Sequence, residues 1–313
     1  MRFTLRQLEV FLAVARSDSV SLAARQLAMS QSAVSGALAD LESQFEIQLF
    51  DRIGKRLELS ELGRSLRARA EALLEQAREL EGQLTQRSDM GLLRVGATLT
   101  IGNYLVVPLM ARFVREHAGA RVTLNVANTA EIARKLENFE LDVALVEGEL
   151  QQADLAVTRW RDDELVVFCA PQHPFAKKRA LTDDDLRSGA WIVREPGSGT
   201  RQAFDHAMHG ILPDLHVELE LQHTEAIKSA VMAGLGLGCV SRLALEEELR
   251  HRSLVACRVP HRDFRRNFYF AVHRKKYQSA AIRAWVELCA KFGAEPAFSR
   301  HVRVPFARSR EGG

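Results

Sequence analysis

The chain lacks any uninterrupted apolar run long enough to cross a membrane, although hydrophobic residues make up 47% of its 313 residues. Its first segment, MRFTLRQLEVFLAVARSDS, interrupts the apolar side chains with charges at helical spacing, so a secretory signal is not expected. These absences argue against a membrane protein or a secreted one and favour a cytoplasmic protein with no membrane partner. A chain of this length is expected to form two or three folded units.

Cysteine is scarce as well, and the four cysteines are dispersed without a CxxC pair. Neither a disulfide framework nor a zinc site is therefore predicted, which fits a reducing compartment. His206 and His209 lie three positions apart, but no Cys or acidic residue stands at matching ligand spacing, so no metal is expected. The segment AGLGLGC lacks GxGxxG spacing, and no nucleophile is paired with a base, so we expect no cofactor and no catalytic residue.

What the sequence does contain begins with two short helical segments near the N-terminus. The apolar residues of one segment recur at gaps of four, three and four, which is one face of a helix: Val34, Leu38, Leu41 and Phe45. Ser30 is placed to cap this helix, and a second short helix over residues 22–27 precedes it after a tight turn. Two such helices are typical of a helix-turn-helix, in which the second helix enters the major groove of DNA.

The side of this helix opposite the apolar face carries short polar side chains. Gln31 can form two hydrogen bonds with adenine, and serine hydroxyls can donate or accept. From Arg52 to Arg69 the chain has six basic and two acidic residues, which suits phosphate contacts beside a recognition helix. The alternative is an all-α protein with Ala and Ser on an exposed face. The DNA-binding candidates are Ser21, Gln31, Ser32, Ser35, Arg52, Lys55 and Arg56.

A short hairpin and a long helix follow. The segment DRIGKRLELSELG has a turn at Gly54 between two β-capable runs, which predicts a wing, and Ser60 is placed to cap the next helix. That helix, expected over residues 61–86, repeats apolar residues at alternating gaps of four and three, which is a heptad seam. Because a lone helix cannot bury a seam, we expect it to join two chains through Leu66, Leu73, Leu80 and Leu84.

From residue 91 onwards the pattern of the sequence changes. Short β-capable runs such as RVTLNVAN, DVALVEG and ELVVFCAP alternate with helical segments, which indicates α/β units with mostly parallel sheets. Small ligands bind such folds beyond the C-terminal ends of the strands, often at helix N-termini. The basic segments FRRN and HRKK near the C-terminus are interpreted as solvated surface.

Together these residues resemble the LysR-type transcriptional regulators over nearly the whole chain. The resemblance rests on LRQLEVFLAVARSDSVSLAARQLAMSQSAVSGALADLE, on LFDR, and on the wing and linker helix that follow. It implies an α/β protein with an N-terminal all-α winged helix-turn-helix, a linker helix and two α/β subdomains like those of periplasmic binding proteins. It also implies double-stranded promoter DNA and a small effector as partners, assembly as a homodimer and further as a homotetramer, and no enzymatic activity.

The resemblance also implies bounds for the domains. These are 1–60 for the winged helix-turn-helix, 61–90 for the linker helix, 91–298 for the effector-binding domain (subdomain I 91–161 and 268–298, subdomain II 162–267) and 299–313 for a C-terminal tail. The motifs SQSAVS, TIGNY, VEG, GSGTR and TEAIK are similar to a branch that includes regulators of sulfur assimilation, which implies an anionic effector. Two alternatives stay open: a solute-binding or transport protein, and an enzyme that uses the α/β cleft.

The effector-site candidates stand at strand ends or helix starts, where hydroxyls and free N–H groups bind anions. Capping alone would explain any one of them, whereas the family fold implies that they converge on one cleft. They are Thr98, Thr100, Asn128, Glu147, Glu195, Ser198, Gly199, Thr200 and Thr224.

Glu147 is the exception in a site expected to consist almost wholly of donors. A carboxylate repels a bound anion unless a proton lies between them, so Glu147 would favour a ligand that carries a proton near neutral pH. This predicts that bisulfite or hydrogen phosphate is preferred to sulfate, and the branch points to sulfite. Alternatively, Glu147 faces solvent or pairs with Arg194 or Arg201.

Overall fold

The computed structural model describes residues 2–53, 56–84 and 90–294, so the predicted tail and the wing residues Gly54 and Lys55 lie outside it. The helices are α1 Leu5–Ser17, α2 Val20–Gln26, α3 Gln31–Phe45, α4 Glu61–Leu84, α5 Leu99–Ile101, α6 Val107–Glu116, α7 Thr129–Glu137, α8 Asp183–Ser188, α9 Gly199–Ala207, α10 Thr224–Met232, α11 Glu246–His251 and α12 Ala280–Ala294. A π-helical segment, Gly102–Val106, joins α5 to α6. None of these helices is both long enough and apolar enough to span a bilayer within the described ranges.

The strands form one hairpin and one large sheet. They are β1 Phe50–Ile53, β2 Arg56–Leu59, β3 Leu92–Thr98, β4 Arg121–Ala127, β5 Val143–Glu147, β6 Leu155–Cys169, β7 Ala190–Arg194, β8 His216–Leu221, β9 Leu237–Ser241, β10 Val255–Cys257 and β11 Arg265–His273. The order in the large sheet is β4-β3-β5-β11-β6-β9-β7-β8, and β10 pairs with β6.

The N-terminal core is built by α1, α2 and α3. Ser30 caps α3, its Oγ accepting a hydrogen bond from the Ala33 N–H at 3.1 Å, as the sequence predicted. Of the predicted apolar face, Val34, Leu38 and Leu41 are buried. Phe45 is 39% exposed, contrary to the prediction, because α3 ends there and the chain turns away through the left-handed Glu46.

The wing and the linker helix are present. Strands β1 and β2 pair antiparallel, and Ser60 Oγ accepts from the Gly63 N–H at 3.0 Å, which caps α4. The first half of α4 packs on the N-terminal core, and an ion pair between Arg16 Nη2 and Glu71 Oε2 at 2.6 Å fixes it to α1. The helix is described to Leu84, so its predicted last residues lie outside the described part.

The large sheet is half antiparallel, which corrects the expectation of mostly parallel strands. The pairs β3–β4, β3–β5, β7–β8 and β7–β9 are parallel, whereas β5–β11, β11–β6, β6–β9 and β6–β10 are antiparallel. The reason lies in β6 and β11, which carry the chain between two halves of the sheet in opposite directions.

Each half of the sheet has its own cores. We call β3–β5 with α5–α7 and α12 the first lobe, where Phe113 packs edge-on against the buried Trp285 with ring centroids 5.5 Å apart. We call β7–β10 with α8–α11 the second lobe, where Trp191 packs on Phe204 at 5.1 Å. The strands β6 and β11 connect the two lobes.

Candidate functional site

The exposed face of α3 carries the predicted base-reading residues. Gln31, Ser32 and Ser35 are all exposed there, and Ser32 Oγ lies 3.0 Å from Ser30 Oγ at the start of the helix. A Cβ placed on Gly36 would meet nothing within 4 Å, so this face is open to a close partner. Ser21 lies on α2 and is half-buried.

The predicted phosphate-contacting residues belong to the wing. Arg52 is in β1, opposite Leu57, and Arg56 begins β2, opposite Ile53. The side chains of Arg52 and Arg56, and Lys55 as a whole, lie outside the described part of the structure.

The predicted seam of α4 is divided between two surroundings. Leu66 is half-buried and packs on the N-terminal core, which corrects the expectation that the whole seam needs a second chain. Leu73, Leu80 and Leu84 are 45%, 56% and 75% exposed. The intramolecular partner is α1, which covers the first turns of α4 and leaves the later leucines in solvent.

The predicted effector residues converge on a side chain that was not among the candidates, Arg266 of β11. Its Nη2 lies 2.8 Å from Glu147 Oε2, and its Nε donates to Asp163 Oδ2 at 2.7 Å. Its Nη1 donates to Thr200 Oγ1 at 3.0 Å and its Nη2 to Thr100 Oγ1 at 3.4 Å. We call these five residues the Arg266 cluster. All of them are buried where the two lobes meet.

Electrostatics keep this buried guanidinium charged. Burial alone would lower the pKa of Arg266, but the adjacent Glu147 and Asp163 outweigh burial and raise it. Glu147 thus neither faces solvent nor pairs with Arg194 or Arg201, and the expected donor-only site contains two carboxylates and their cation. Among the described residues, Glu147 Oε2 accepts no aligned hydrogen bond despite its closeness to Arg266.

Backbone contacts join the end of β5 to the start of α9. Thr129 Oγ1 donates to the carbonyl of Glu147 at 2.8 Å and accepts from the Gly199 N–H at 3.1 Å. A Cβ on Gly199 would lie 2.0 Å from the Glu147 carbonyl oxygen, so only glycine permits this approach. Ser198 Oγ caps α9, as predicted.

The other candidates flank the cluster. Asn128 Nδ2 donates to Glu195 Oε1 at 3.2 Å, and Arg194 donates to both oxygens of Glu195. Thr98 ends β3, and its Oγ1 accepts from the Glu147 N–H at 3.2 Å. Thr224 begins α10 and is buried, but no hydrogen bond joins it to the cluster within the described ranges.

Two details of the effector prediction need correction. Thr100 lies inside the short helix α5 rather than before it, so only Thr98 stands at the helix start. The segment FRRN, interpreted as solvated surface, contains the buried Arg266 beside the exposed Arg265. Alternation along a strand was the available signal, since neighbouring strand residues face opposite sides. No set of three or more His, Cys, Asp or Glu side chains suited to a metal ion occurs among the described residues.

Comparison with known proteins identifies both parts of the chain. Residues 5–64 match the model "Bacterial regulatory helix-turn-helix protein, lysR family", and residues 86–294 match "LysR substrate binding domain". The chain is 43% identical over 289 residues to the HTH-type transcriptional regulator YeiE of Escherichia coli (strain K12), covering 92% of this chain and 98% of YeiE. This confirms the branch that the motifs indicated. Because its relatives are named as transcriptional regulators, the chain is not an enzyme.

Solved structures agree on the fold. A single-residue variant of full-length OxyR from Pseudomonas aeruginosa is similar over 100% of both chains, with a TM-score of 0.71 and 22% identity. The CcmR regulatory domain of Synechocystis PCC6803, solved in complex with 2-PG, is similar over 66% of this chain and 98% of that domain, with a TM-score of 0.61 and 29% identity. A helix-turn-helix and an effector-binding domain that together account for most of the chain leave one conclusion: it belongs to the LysR family of DNA-binding transcriptional regulators.

Proposed function

We propose that this regulator responds to a small anion that carries a proton and binds at the Arg266 cluster, with sulfite, as bisulfite, the favoured effector. The observation that carries the proposal is one buried guanidinium facing two carboxylates, Glu147 and Asp163. A fully ionised anion would bring a further negative charge to a site that already holds more carboxylates than cations. A proton, brought by the ligand or taken up by Glu147, removes that repulsion.

The unaligned oxygen of Glu147 is the natural place for this proton. In its protonated form Oε2 donates a hydrogen bond to an anion instead of repelling it. The hydroxyls of Thr100 and Thr200 already bond to Arg266 and supply further donors beside it. Thr98, Asn128, Glu195, Ser198, Gly199 and Thr224 surround this centre.

The remainder of the proposal concerns DNA and assembly. The domain division follows the bounds predicted from the sequence, and α3 contacts bases through Gln31, Ser32 and Ser35 while the wing contacts phosphates. The exposed leucines of α4 pair two chains into a homodimer, and homodimers associate further into a homotetramer. Because its target is promoter DNA, the protein acts in the cytoplasm.

Calorimetric titration of the full-length protein with sulfite, phosphate, sulfate and 2-PG tests the effector. Sulfite is expected to bind about tenfold or more tightly than sulfate, and its affinity should fall as pH rises above neutral because bisulfite loses its proton. In Glu147→Gln the preference should shrink, since an amide donates to either anion.

Glu149→Gln is the matched control, because Glu149 is exposed two residues away and its side chain is not part of the cluster. It should leave the selectivity as in the wild type. Equal affinity for sulfite and sulfate in the wild type, or unchanged selectivity in Glu147→Gln, would refute the proton requirement. Tighter binding of 2-PG than of sulfite would replace sulfite as the effector.

A further inference from the structure

A cavity of about 510 Å³ lies in the second lobe, and none of its lining residues belongs to the Arg266 cluster. Its lining combines buried apolar residues with basic residues at the solvent side. The apolar ones are Leu165, Val167, Cys257, Val259 and Phe264, and the basic ones are Arg242, Arg258, His261, Arg262 and Arg265. We call this cavity the back pocket.

Basic charge exceeds acidic charge in the back pocket, because its four arginines face only two carboxylates, Glu164 and Asp263. Arg242 pairs with Glu164 at 2.8 Å and Arg265 with Asp263 at 2.8 Å. Glu164 and Asp263 are 50% and 56% exposed, and ion pairs this open contribute only about 0–1 kcal/mol. A ligand anion can therefore replace either carboxylate at little cost.

One wall of the back pocket is fixed. Arg262 donates to both carboxylate oxygens of Asp183 at 2.9 Å and to the carbonyl oxygens of Ala207 and His209 at 2.7 and 3.1 Å. This arginine is therefore held in one position, whereas Arg265 is 81% exposed and free to reorient towards a ligand.

The back pocket lies behind the strands that carry the Arg266 cluster. In the β6–β11 pairing, Arg265 is opposite Glu164 and Arg266 is opposite Asp163. Since successive strand residues face opposite sides of a sheet, the first pair lines the back pocket and the second pair lies in the Arg266 cluster.

We propose that the back pocket binds a second small ligand, an organic anion with one carboxylate, sulfonate or phosphate group and a short apolar body. Guanidinium forks suit the charged group, and the buried apolar residues contact the body. The site shares no side chain with the Arg266 cluster, so it stands independently of the proposed effector site.

The test is a fluorescence titration of the full-length protein with 8-anilinonaphthalene-1-sulfonate, an anionic aromatic probe. Saturable binding is expected in the wild type, and about tenfold weaker binding in Arg242→Gln/Arg265→Gln, since two charge-assisted contacts are lost. The uncharged N-phenyl-1-naphthylamine should bind about tenfold more weakly than the sulfonate. If the double variant does not fold, Arg265→Gln alone should give a weaker loss in the same direction.

Two variants serve as controls. Arg250→Gln removes an exposed arginine that also pairs with a glutamate, Glu247, but lies outside the back pocket, and it should leave the titration unchanged. Glu147→Gln should also leave it unchanged. Unchanged probe binding in the double variant, an equal loss in Arg250→Gln, or equal affinity for the uncharged probe would overturn the proposal. A loss in Glu147→Gln would place the probe at the Arg266 cluster and overturn it too.

Discussion

Arg266 and Glu147 form an ion pair with Nη2 and Oε2 2.8 Å apart, and both side chains are almost wholly buried, at 4% and 1% exposure. The pair joins β11 to the end of β5. Asp163, on β6 opposite Arg266, shares the same guanidinium. The cluster thus connects the first lobe to both strands that lead into the second, so its charge balance bears on how the lobes meet.

Replacing Arg266 should therefore affect both stability and ligand binding. Arg266→Gln leaves two buried carboxylates without their cation, which should lower the free energy of unfolding by about 3–5 kcal/mol and abolish anion binding. Urea unfolding and calorimetry measure the two effects. Arg265→Gln, one residue away but exposed, should change stability by less than about 0.5 kcal/mol. Equal effects of the two substitutions would contradict the assignment of Arg266 as the buried centre.

Gln31→Ala should weaken binding to a selected specific duplex by about 1–3 kcal/mol and hardly affect random duplexes, because it removes base contacts alone. Arg52→Ala should weaken binding to both, since phosphate attraction does not depend on sequence. Fluorescence anisotropy at one fixed salt concentration measures both. If Gln31→Ala weakened binding to random and specific duplexes equally, α3 would not be reading bases.

Charge placed on the exposed leucines of α4 should separate the chains. Leu73→Glu and Leu80→Glu each bring a carboxylate to the proposed seam, so light scattering should give the mass of a monomer. Operator binding should be lost with the dimer, because two half-sites need two helix-turn-helix units. Ser65→Glu adds the same charge at an exposed polar position of α4 and should stay dimeric. A full-size dimer in the leucine variants would remove α4 from the interface.

Acid should destabilise the first lobe through Asp142. Its Oδ1 lies 2.7 Å from both Arg94 Nη2 and Lys276 Nζ. Burial alone would raise the pKa of Asp142, but the two cations outweigh burial and lower the pKa to about 2. Because this lies below the pKa of about 3.9 for an unfolded chain, the stabilisation is complete above that value and is lost as pH falls towards 2.

Urea unfolding at pH 7 and pH 3 measures this contribution. The wild type should lose about 1 kcal/mol more than Asp142→Asn over that interval, because the variant has no proton to gain there. Asp184→Asn, at a side chain 95% exposed, should behave as the wild type. The same acid loss in wild type and Asp142→Asn would refute the assignment.

The sequence by itself determined the elements whose signals are local. A helix repeats every few residues and its cap lies within the same turn, so Ser30, the buried face of α3 and Ser60 were predictable from spacing alone. The family likewise followed from a contiguous run of residues in the helix-turn-helix.

Only the tertiary structure decided which partner covers each surface. The seam of α4 divides at Leu66 because α1, distant in sequence, packs on one end of it. Arg266 is buried because β11 pairs with β6 more than a hundred residues earlier in the chain, which brings Asp163 and Glu147 to it. A basic residue on a strand faces solvent or a carboxylate according to that pairing, and neither spacing nor composition encodes which pairing occurs.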